Sequence, residues 1–328
     1  MKRIEWIDTA KGVAILLVVL EHTTGIDRTH LGVMFTHISL PLFFCISGFF
    51  WKPEVAFFMF LRNKMNSLII PTFFFFWGAC LIYFFLQSVG IHFEIPFQWS
   101  YMLDLFRPTE DIYCNGVVWF LISLFWVNCL FYIMSSYLKK ILFISVIVCA
   151  LIGIGGGKLP YFIDSSLTAM PFFYMGMMLK KSNILGDWVY DKYLYQIFII
   201  CMLIVAFLAE DNSMRSNRYD NPYLYHITAM CGVIGILAIC KKIGRIPLVA
   251  ALYGRYSIIV LGTHPLLINP IRRFSILFVG GSSLFTFTMV ALVEMAVVPL
   301  FVKLFPYFCA QKSIFDLFSK YIVIKNER

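Results

Sequence analysis

Residues 4–22, IEWIDTAKGVAILLVVLEH, contain an unbroken apolar run between two groups of ionisable side chains. Lys11 precedes this run, and Glu21 and His22 follow it. Backbone polar groups that enter hydrocarbon must be paired within their own segment, so a run of this kind has to be helical. The stretch therefore predicts a first transmembrane helix, over about residues 10–28, that carries titratable groups into the membrane.

The composition of the whole chain agrees with a membrane environment. Of its 328 residues, 60% are hydrophobic and 14% are charged, and the mean hydropathy is +0.82. A soluble domain is about 45–50% apolar and about 25% charged. A globule of this size has too little interior to bury so many apolar side chains. The composition therefore excludes a disordered chain and an ordinary cytosolic enzyme.

Long apolar runs recur along the sequence, and a helix needs about 20 residues to cross a bilayer. We therefore predict an all-α, polytopic helix bundle of about ten transmembrane helices. The predicted spans are 10–28, 31–51, 66–88, 117–138, 141–157, 162–180, 190–209, 222–240, 248–269 and 283–305. The loop 89–116 is expected to carry a short interfacial helix. The bundle forms one domain, residues 1–310, which a basic tail at 311–328 follows.

Positive charge predicts the orientation of the bundle. Most of the 27 Lys and Arg fall on the same side as the N-terminus, and cytoplasmic segments carry the excess of these residues. Both termini are therefore expected in the cytoplasm. The net charge of +9 does not indicate nucleic-acid binding, because the basic residues lie in short groups between apolar runs. The nine cysteines show no C-x-x-C spacing, so neither a metal site nor a disulfide framework is expected.

Lys11 and His22 have the most specific spacing among the intramembrane polar residues. Residues eleven apart on a helix return to within about 20° of the same face, about 16 Å along the axis. This places His22 about halfway through the bilayer, where a buried, neutral imidazole can take a proton from an attacking hydroxyl. Lys11 can hold an anionic donor at the membrane face. The structural alternative is that His22 bonds a neighbouring helix and Lys11 extends to the membrane surface.

Five motifs follow one another along the chain. They are the run 4–22 with its Lys11 to His22 spacing, PLFFCISGF at 41–49, the basic stretch from Arg62 to Pro71, WFL at 119–121, and the stretch from Ser257 to Leu266. In this order they resemble the acyltransferase-3 family of integral-membrane O-acyltransferases, especially its fucose 4-O-acetylase-like branch.

The resemblance implies an enzyme that takes an acetyl group from cytoplasmic acetyl-CoA. It implies an acceptor hydroxyl on a cell-envelope glycan or a lipid-linked sugar, and no permanently bound cofactor. His22 would be the catalytic histidine, and Lys11 would stand at the family's basic donor-side position, where Arg is more usual. Together with the topology, the resemblance implies a bacterial inner membrane, with membrane lipid as a further partner and no role for nucleic acid.

Several further residues are candidates for the site. Arg62 and Lys64 lie at a cytoplasmic helix entrance, where they either bind the phosphates of CoA or act as positive membrane anchors. Ser47, next to Gly48, either lines the acyl channel or belongs to a close helix contact. His37 either faces the acceptor or bonds a neighbouring helix. Polar residues close to Lys11 and His22 in the first span are further supporting candidates: Asp8 and Glu21.

Later parts of the chain supply the remaining candidates. Arg255 and Glu294, in the ninth and tenth spans, either pair with each other or leave Arg255 to reach a substrate. His264 either supports the site or caps a helix near Pro265. A carboxylate, an amide and an indole suited to bind a sugar lie where the outer loop meets the fourth span: Asp111, Asn115 and Trp119.

Two other functions are compatible with these residues. A secondary transporter of a small anion or lipid-linked sugar would use them as a relay, but we find no inverted repeat and no matching pair of Gly- or Pro-broken spans. A sensor that keeps the fold with an incomplete site would explain the glutamate before His22 and the reduced basic cluster before the third span.

Overall fold

The computed structural model describes residues 4–24, 30–52, 56–91, 95–107, 112–183 and 192–315. Its long helices are α1 Glu5–Thr24, α2 His30–Phe49, α3 Phe57–Lys64, α4 Ile70–Ser88, α5 Trp119–Tyr137, α6 Leu142–Gly155, α7 Ile163–Ser182, α8 Leu194–Leu208, α9 Pro222–Ile243, α10 Ser257–Val279 and α11 Ser283–Leu304. The apolar runs of the sequence form these helices, so the prediction of an all-α bundle is confirmed.

Shorter helical segments join the long ones. A π-helical turn, Met65–Ile69, connects α3 to α4, and a second one, Val249–Gly254, precedes α10. Short 3₁₀ helices form at Trp99–Phe106, Gly116–Val118, Lys139–Ile141 and Pro160–Phe162. The first of these lies in the loop 89–116, where a short helix was predicted.

Five helical segments in the described part of the chain are long and apolar enough to cross a membrane. They are Gly32–Phe49, Phe57–Ser88, Gly116–Tyr137, Pro222–Ile243 and Ser283–Leu304. These segments, like most of the predicted spans, have many large apolar side chains on their outer surfaces. An apolar outer surface is stable only when lipid covers it. The total of about ten spans stays a prediction, as does the division into residues 1–310 and 311–328, of which 316–328 lie outside the described residues.

A small β-hairpin departs from the all-helical prediction. Strand β1, Asn212–Ser213, pairs antiparallel with strand β2, Arg218–Tyr219. Asn217 closes the turn with a φ of 49°, a conformation that Asn tolerates better than most residues. Strands of two residues are too short to show an alternating pattern, which is why the sequence did not reveal them.

The first half of α1 is fixed against the segment between α9 and α10. The Thr9 hydroxyl donates to the carbonyl oxygen of Gly244 at 2.9 Å and accepts from the backbone N–H of Ile246 at 3.2 Å. A Cβ atom on Gly254 would overlap the carbonyl oxygen of Asp8. Only glycine allows this approach, so α1 packs directly on the Val249–Gly254 turn.

The other end of α1 is held by α10. That helix continues to Val279, ten residues beyond the predicted end of the ninth span, and ends at Gly280 with a φ of 69°. The extension places Arg272 on the helix, where its guanidinium donates to the carbonyl oxygens of His22 at 3.0 Å and Thr23 at 3.3 Å. A cation at the last carbonyl groups of a helix satisfies them and complements the helix dipole.

Helices α2 and α7 also approach closely through glycines. A Cβ atom on Gly48 would overlap the carbonyl oxygen of Phe173, and one on Gly176 would overlap that of Cys45. Small residues allow this kind of contact between membrane helices. The structure therefore assigns Gly48 to close helix packing, one of the two alternatives predicted for this motif.

Candidate active site

Two cavities lie within the bundle, one toward each end of α1. The first, the His22 cavity, has a volume of about 380 Å³. Its lining residues are Glu21, His22, Thr36, Ser39, Leu40, Ile112, Tyr113, Gly116, Val117, Trp119, Asn212, Ser213, Met214, Arg215, Tyr225 and Pro265. The second, the Lys11 cavity, has a volume of about 280 Å³. Its lining residues are Lys11, Ile15, Phe43, Ile46, Ser47, Phe50, Lys64, Ser67, Leu68, Phe120, Leu121, Leu124, Ser257, Ile258 and Leu261.

The linings of the two cavities adjoin at neighbouring residues. On α5, Trp119 lines the His22 cavity and the next residue, Phe120, lines the Lys11 cavity. On α2 the change comes between Leu40 and Phe43. The rings of Phe43 and Phe120 are in contact, with centroids 5.6 Å apart. Lys11 and His22 therefore share a helix but line different cavities.

His22 lies in the last turn of α1 and lines its cavity as an exposed residue. The imidazole is therefore exposed and not, as was predicted, buried by protein, and its depth in the membrane stays a prediction. The ring Nδ1 lies 2.8 Å from the carbonyl oxygen of Val18. A carbonyl oxygen only accepts, so we assign the hydrogen to Nδ1. In the neutral ring, Nε2 is then the nitrogen that can accept a proton.

A second imidazole packs behind His22. The ring of His264, on α10, has its centroid 5.3 Å from that of His22, at an interplanar angle of 72°. His264 is fully buried, and its Nδ1 lies 2.8 Å from the carbonyl oxygen of Val260. The sequence left open whether His264 supports the site or caps a helix. The structure places it inside α10 and against His22.

Polar groups surround His22 in the cavity wall. The Ser39 hydroxyl, on α2, donates to Oε1 of Glu21 at 2.9 Å, which fixes a carboxylate beside the imidazole. The Trp119 indole, a predicted sugar-binding group, also lines this cavity. Carboxylate, hydroxyl and aromatic groups are the kinds of side chain that hold a polyol against a wall.

The β-hairpin supplies part of the same wall, and sequence analysis missed it. Asn212, Ser213 and Arg215 line the cavity. A Cβ atom on Gly116 would lie 3.0 Å from Nη1 of Arg215, so the guanidinium packs directly over that glycine. The only sequence signal was a short polar stretch between two apolar runs, which is typical of any loop.

The Lys11 cavity joins two cations from different helices. Lys11 lies 5.1 Å from the ring centroid of Phe50, and Lys64 lies 5.8 Å from that of Phe60. Both lysines line the cavity together with Ser47, which the sequence proposed as a channel residue. Arg62 is exposed and does not line the cavity. Of the predicted donor-side residues, the structure therefore brings Lys11 and Lys64 together.

Asn115 has a structural role in place of the predicted role in sugar binding. Its side-chain amide donates to the carbonyl oxygens of Phe75 at 3.3 Å and Gly262 at 2.9 Å, and the residue is buried. It thereby ties the start of α5 to α4 and α10. Asp111, which was predicted to bind a sugar together with Asn115 and Trp119, lies outside the described residues.

The thiol of Cys114, between the cavity-lining residues Tyr113 and Gly116, is not suited to be a nucleophile. Cys114 is buried just before α5. A hydrogen bond with Cys80, together with burial, raises the pKa of the Cys114 thiol above its usual range. The thiolate is the nucleophilic form, so a thiol kept protonated does not accept an acyl group at neutral pH.

The predicted pair of Arg255 and Glu294 does not form. Arg255 is exposed at the start of α10 and lies over the ring of Tyr256, at 5.1 Å. Glu294 is fully buried on α11, and its Oε1 lies 2.7 Å from the Thr263 hydroxyl. Arg255 directly follows the π-helical turn Val249–Gly254 and lies at the surface, whereas Glu294 lies in the interior.

Two other candidates have contacts outside the cavities. His37 is buried, and its Nε2 lies 3.2 Å from Nδ2 of Asn212, so it supports the hairpin. The partner lies in strand β1 and not on a neighbouring helix, as the interhelical bond suggested by the sequence would require. Asp8 is buried where α1 meets Gly254 and lines neither cavity.

Comparison with known proteins agrees with this architecture. The sequence profile of the family described as "Acyltransferase domain" matches residues 4–302, from the start of α1 almost to the end of α11. The match includes every residue that lines the two cavities. Searches among curated proteins and among solved structures give no match. With its apolar helices and this nearly complete match, the chain is an integral membrane protein that belongs to the acyltransferase-3 family of acyltransferases.

Proposed function

We propose that this acyltransferase is an O-acetyltransferase of the bacterial inner membrane. It moves an acetyl group from cytoplasmic acetyl-CoA to a hydroxyl of a cell-envelope glycan or a lipid-linked sugar. The observation that carries the proposal is the position of His22, whose Nδ1 is fixed by Val18 and whose ring lines a cavity that also has Glu21, Ser39 and Arg215 in its wall. This arrangement supports a role for Nε2 as a general base.

The donor enters the Lys11 cavity. Lys11 and Lys64 attract the phosphates of CoA to its mouth, and the mainly apolar lining accommodates the uncharged chain that ends in the thioester. Lys11 and His22 are about 16 Å apart along α1. An extended chain that begins near the lysines can span this distance if it passes the contact between Phe43 and Phe120.

The acceptor enters the His22 cavity from the opposite end. A volume of about 380 Å³ is within the range of small-molecule sites and suits a sugar residue with part of its neighbour. Trp119 offers an aromatic face, while Glu21, Asn212 and Arg215 offer hydrogen-bonding groups. In this arrangement the acceptor hydroxyl lies next to Nε2 of His22.

The reaction is a direct transfer. Nε2 of His22 takes the proton of the acceptor hydroxyl as its oxygen attacks the thioester carbon. The new C–O bond forms, the C–S bond breaks, and the CoA thiolate leaves with the proton from the imidazolium. The family assignment favours this acyl transfer over transport, the alternative that the sequence left open.

Binding and transfer of the donor test the proposal. CoA should raise the melting temperature of the purified protein in a saturable way, and adenosine should not. With labelled acetyl-CoA and lipid-linked glycans, the protein should produce label that mild alkali releases, as expected for an O-ester. Absence of stabilisation at millimolar CoA would contradict the proposal, and so would alkali-stable label alone.

A further inference from the structure

One face of α2 runs along the Lys11 cavity. Phe43, Ser47 and Phe50 line the cavity and lie four and three residues apart, so they share this face. At one end, Nζ of Lys11 lies 5.1 Å from the ring centroid of Phe50. At the other end, the ring of Phe43 contacts Phe120. A helix rises about 1.5 Å per residue, so Ser47 lies about 4.5 Å from the level of Phe50 and about 6 Å from that of Phe43. A hydroxyl group therefore lies about midway between the basic end of the cavity and the contact between the two phenylalanines.

Asn128, on α5, holds the oxygen of this hydroxyl. Asn128 is fully buried, and its Nδ2 lies 2.7 Å from the carbonyl oxygen of Leu124 and 3.4 Å from Oγ of Ser47. A carbonyl oxygen only accepts, so the atom beside Leu124 is the amide nitrogen. The Ser47 oxygen therefore accepts from Asn128. Its own hydrogen has no acceptor among the described residues, and it is available to a ligand in the cavity.

We propose that Ser47, held by Asn128, donates a hydrogen bond to an amide carbonyl in the pantetheine arm of the acyl-CoA donor. This arm joins the phosphates to the thioester and carries amide groups between them. An amide carbonyl that leaves water for a largely apolar cavity binds poorly unless a new donor replaces the water. With the phosphates near Lys11 and the thioester near Phe43, the amides lie at the intermediate level where Ser47 lies. This inference rests on the proposed function and assigns donor binding to Ser47 and positioning to Asn128.

A fragment of the donor that lacks the arm separates the two ends of the cavity. Adenosine 3′,5′-bisphosphate carries phosphates but no pantetheine, and its Kd and that of CoA follow from the melting temperature at increasing ligand concentration. Ser47→Ala should raise the Kd of CoA about three- to tenfold and leave that of the bisphosphate within twofold of wild type. Lys11→Gln should raise both.

Ser135→Ala is the matched control. Ser135 is another serine of a membrane helix, α5, and its hydroxyl donates to the carbonyl oxygen of Tyr132 at 3.1 Å. It lines neither cavity, so both dissociation constants should stay at their wild-type values.

Two substitutions of Asn128 test the direction of its hydrogen bond. Asn128→Asp puts an oxygen in place of Nδ2, and this oxygen accepts the Ser47 hydrogen, so the Kd of CoA should rise as much as in Ser47→Ala. Asn128→Leu leaves that hydrogen available, so its effect should be smaller. In a Ser47→Ala background, Asn128→Asp should cause no further loss, whereas a general effect of charge would persist. A purely structural role of Asn128 would lower the melting temperature of the ligand-free variants without this order in Kd.

Three results would overturn the inference. They are a wild-type Kd for CoA in Ser47→Ala, an equal loss of CoA and bisphosphate binding in that variant, and a larger loss for Asn128→Leu than for Asn128→Asp. Absence of CoA binding to the wild-type protein would instead contradict the proposed function.

Discussion

Lys11 and Lys64 belong to different helices, α1 and α3, yet both line the same cavity. Most of the other lining residues are apolar, with three serines among them. Two cations at one largely apolar cavity produce a local positive potential that attracts an anion with an apolar extension. This combination fits the phosphates and the thioester-bearing chain of an acyl-CoA.

Neutralising either lysine should weaken donor binding. Lys11→Gln and Lys64→Gln are each expected to raise the KM for acetyl-CoA roughly tenfold, which corresponds to about 1.4 kcal/mol. The KM for the acceptor should stay unchanged, because the two cavities are separate. Lys139→Gln is the matched control, since Lys139 is exposed and lines neither cavity. Equal effects of all three substitutions would mean that only overall charge matters.

Arg215 should act on the acceptor and not on the donor. Arg215→Gln removes a guanidinium from the wall of the His22 cavity, so the acceptor KM should rise several-fold while the KM for acetyl-CoA stays constant. Arg218, on the same hairpin, is exposed and does not line the cavity, so Arg218→Gln should leave both constants unchanged. A change in donor KM for Arg215→Gln would place this residue elsewhere in the mechanism.

The contact between α2 and α7 should be sensitive to a single methyl group. In Gly48→Ala and Gly176→Ala, the new Cβ overlaps backbone of the facing helix, and overpacking of this kind costs about 1–3 kcal/mol. Both variants should melt several degrees below wild type in a fluorescence-monitored thermal scan. Gly78→Ala is the control, because nothing lies within 4 Å of its added Cβ. Equal melting temperatures for all three variants would show that α2 and α7 do not pack through these two glycines.

Asn115 should be needed for stability and not for acceptor recognition. Asn115→Leu leaves the carbonyl oxygens of Phe75 and Gly262 without their donor, at a cost of about 1–3 kcal/mol. The melting temperature should fall, while the acceptor KM of the folded protein should stay near wild type. If the acceptor KM rose and the melting temperature did not change, Asn115 would contribute to sugar binding and not to stability.

The sequence was sufficient for the fold class and for the family. The helix bundle was predicted from apolar runs long enough to cross a bilayer, and the family was predicted from five motifs in order. Both signals lie in local sequence, and both predictions were correct. The start of the first helix was misplaced, because the apolar run did not show that α1 begins as early as Glu5. The end of α10 was misplaced because Arg272 and Arg273 suggested a loop, whereas Arg272 reaches the last carbonyl groups of α1.

Contacts between distant segments were out of reach of the sequence. The polar hairpin has no periodicity of its own, so nothing placed Arg215 beside Glu21 and His22. Arg255 and Glu294 were candidate partners only because both fall in predicted spans. In the structure, Arg255 is exposed just after a π-helical turn, and Thr263 is the residue that donates to Glu294. Similarly, a motif can identify His264 as a candidate, but only the packing of α1 on α10 shows that it contacts His22.

Turnover of His22→Gln shows whether His22 accepts the proton of the acceptor hydroxyl. We expect kcat for acetyl transfer to fall at least about a hundredfold, the usual size of a general-base contribution. CoA should still stabilise the variant as it does the wild type, because the donor cavity is intact. Wild-type turnover in a folded His22→Gln protein would show that His22 is not the base.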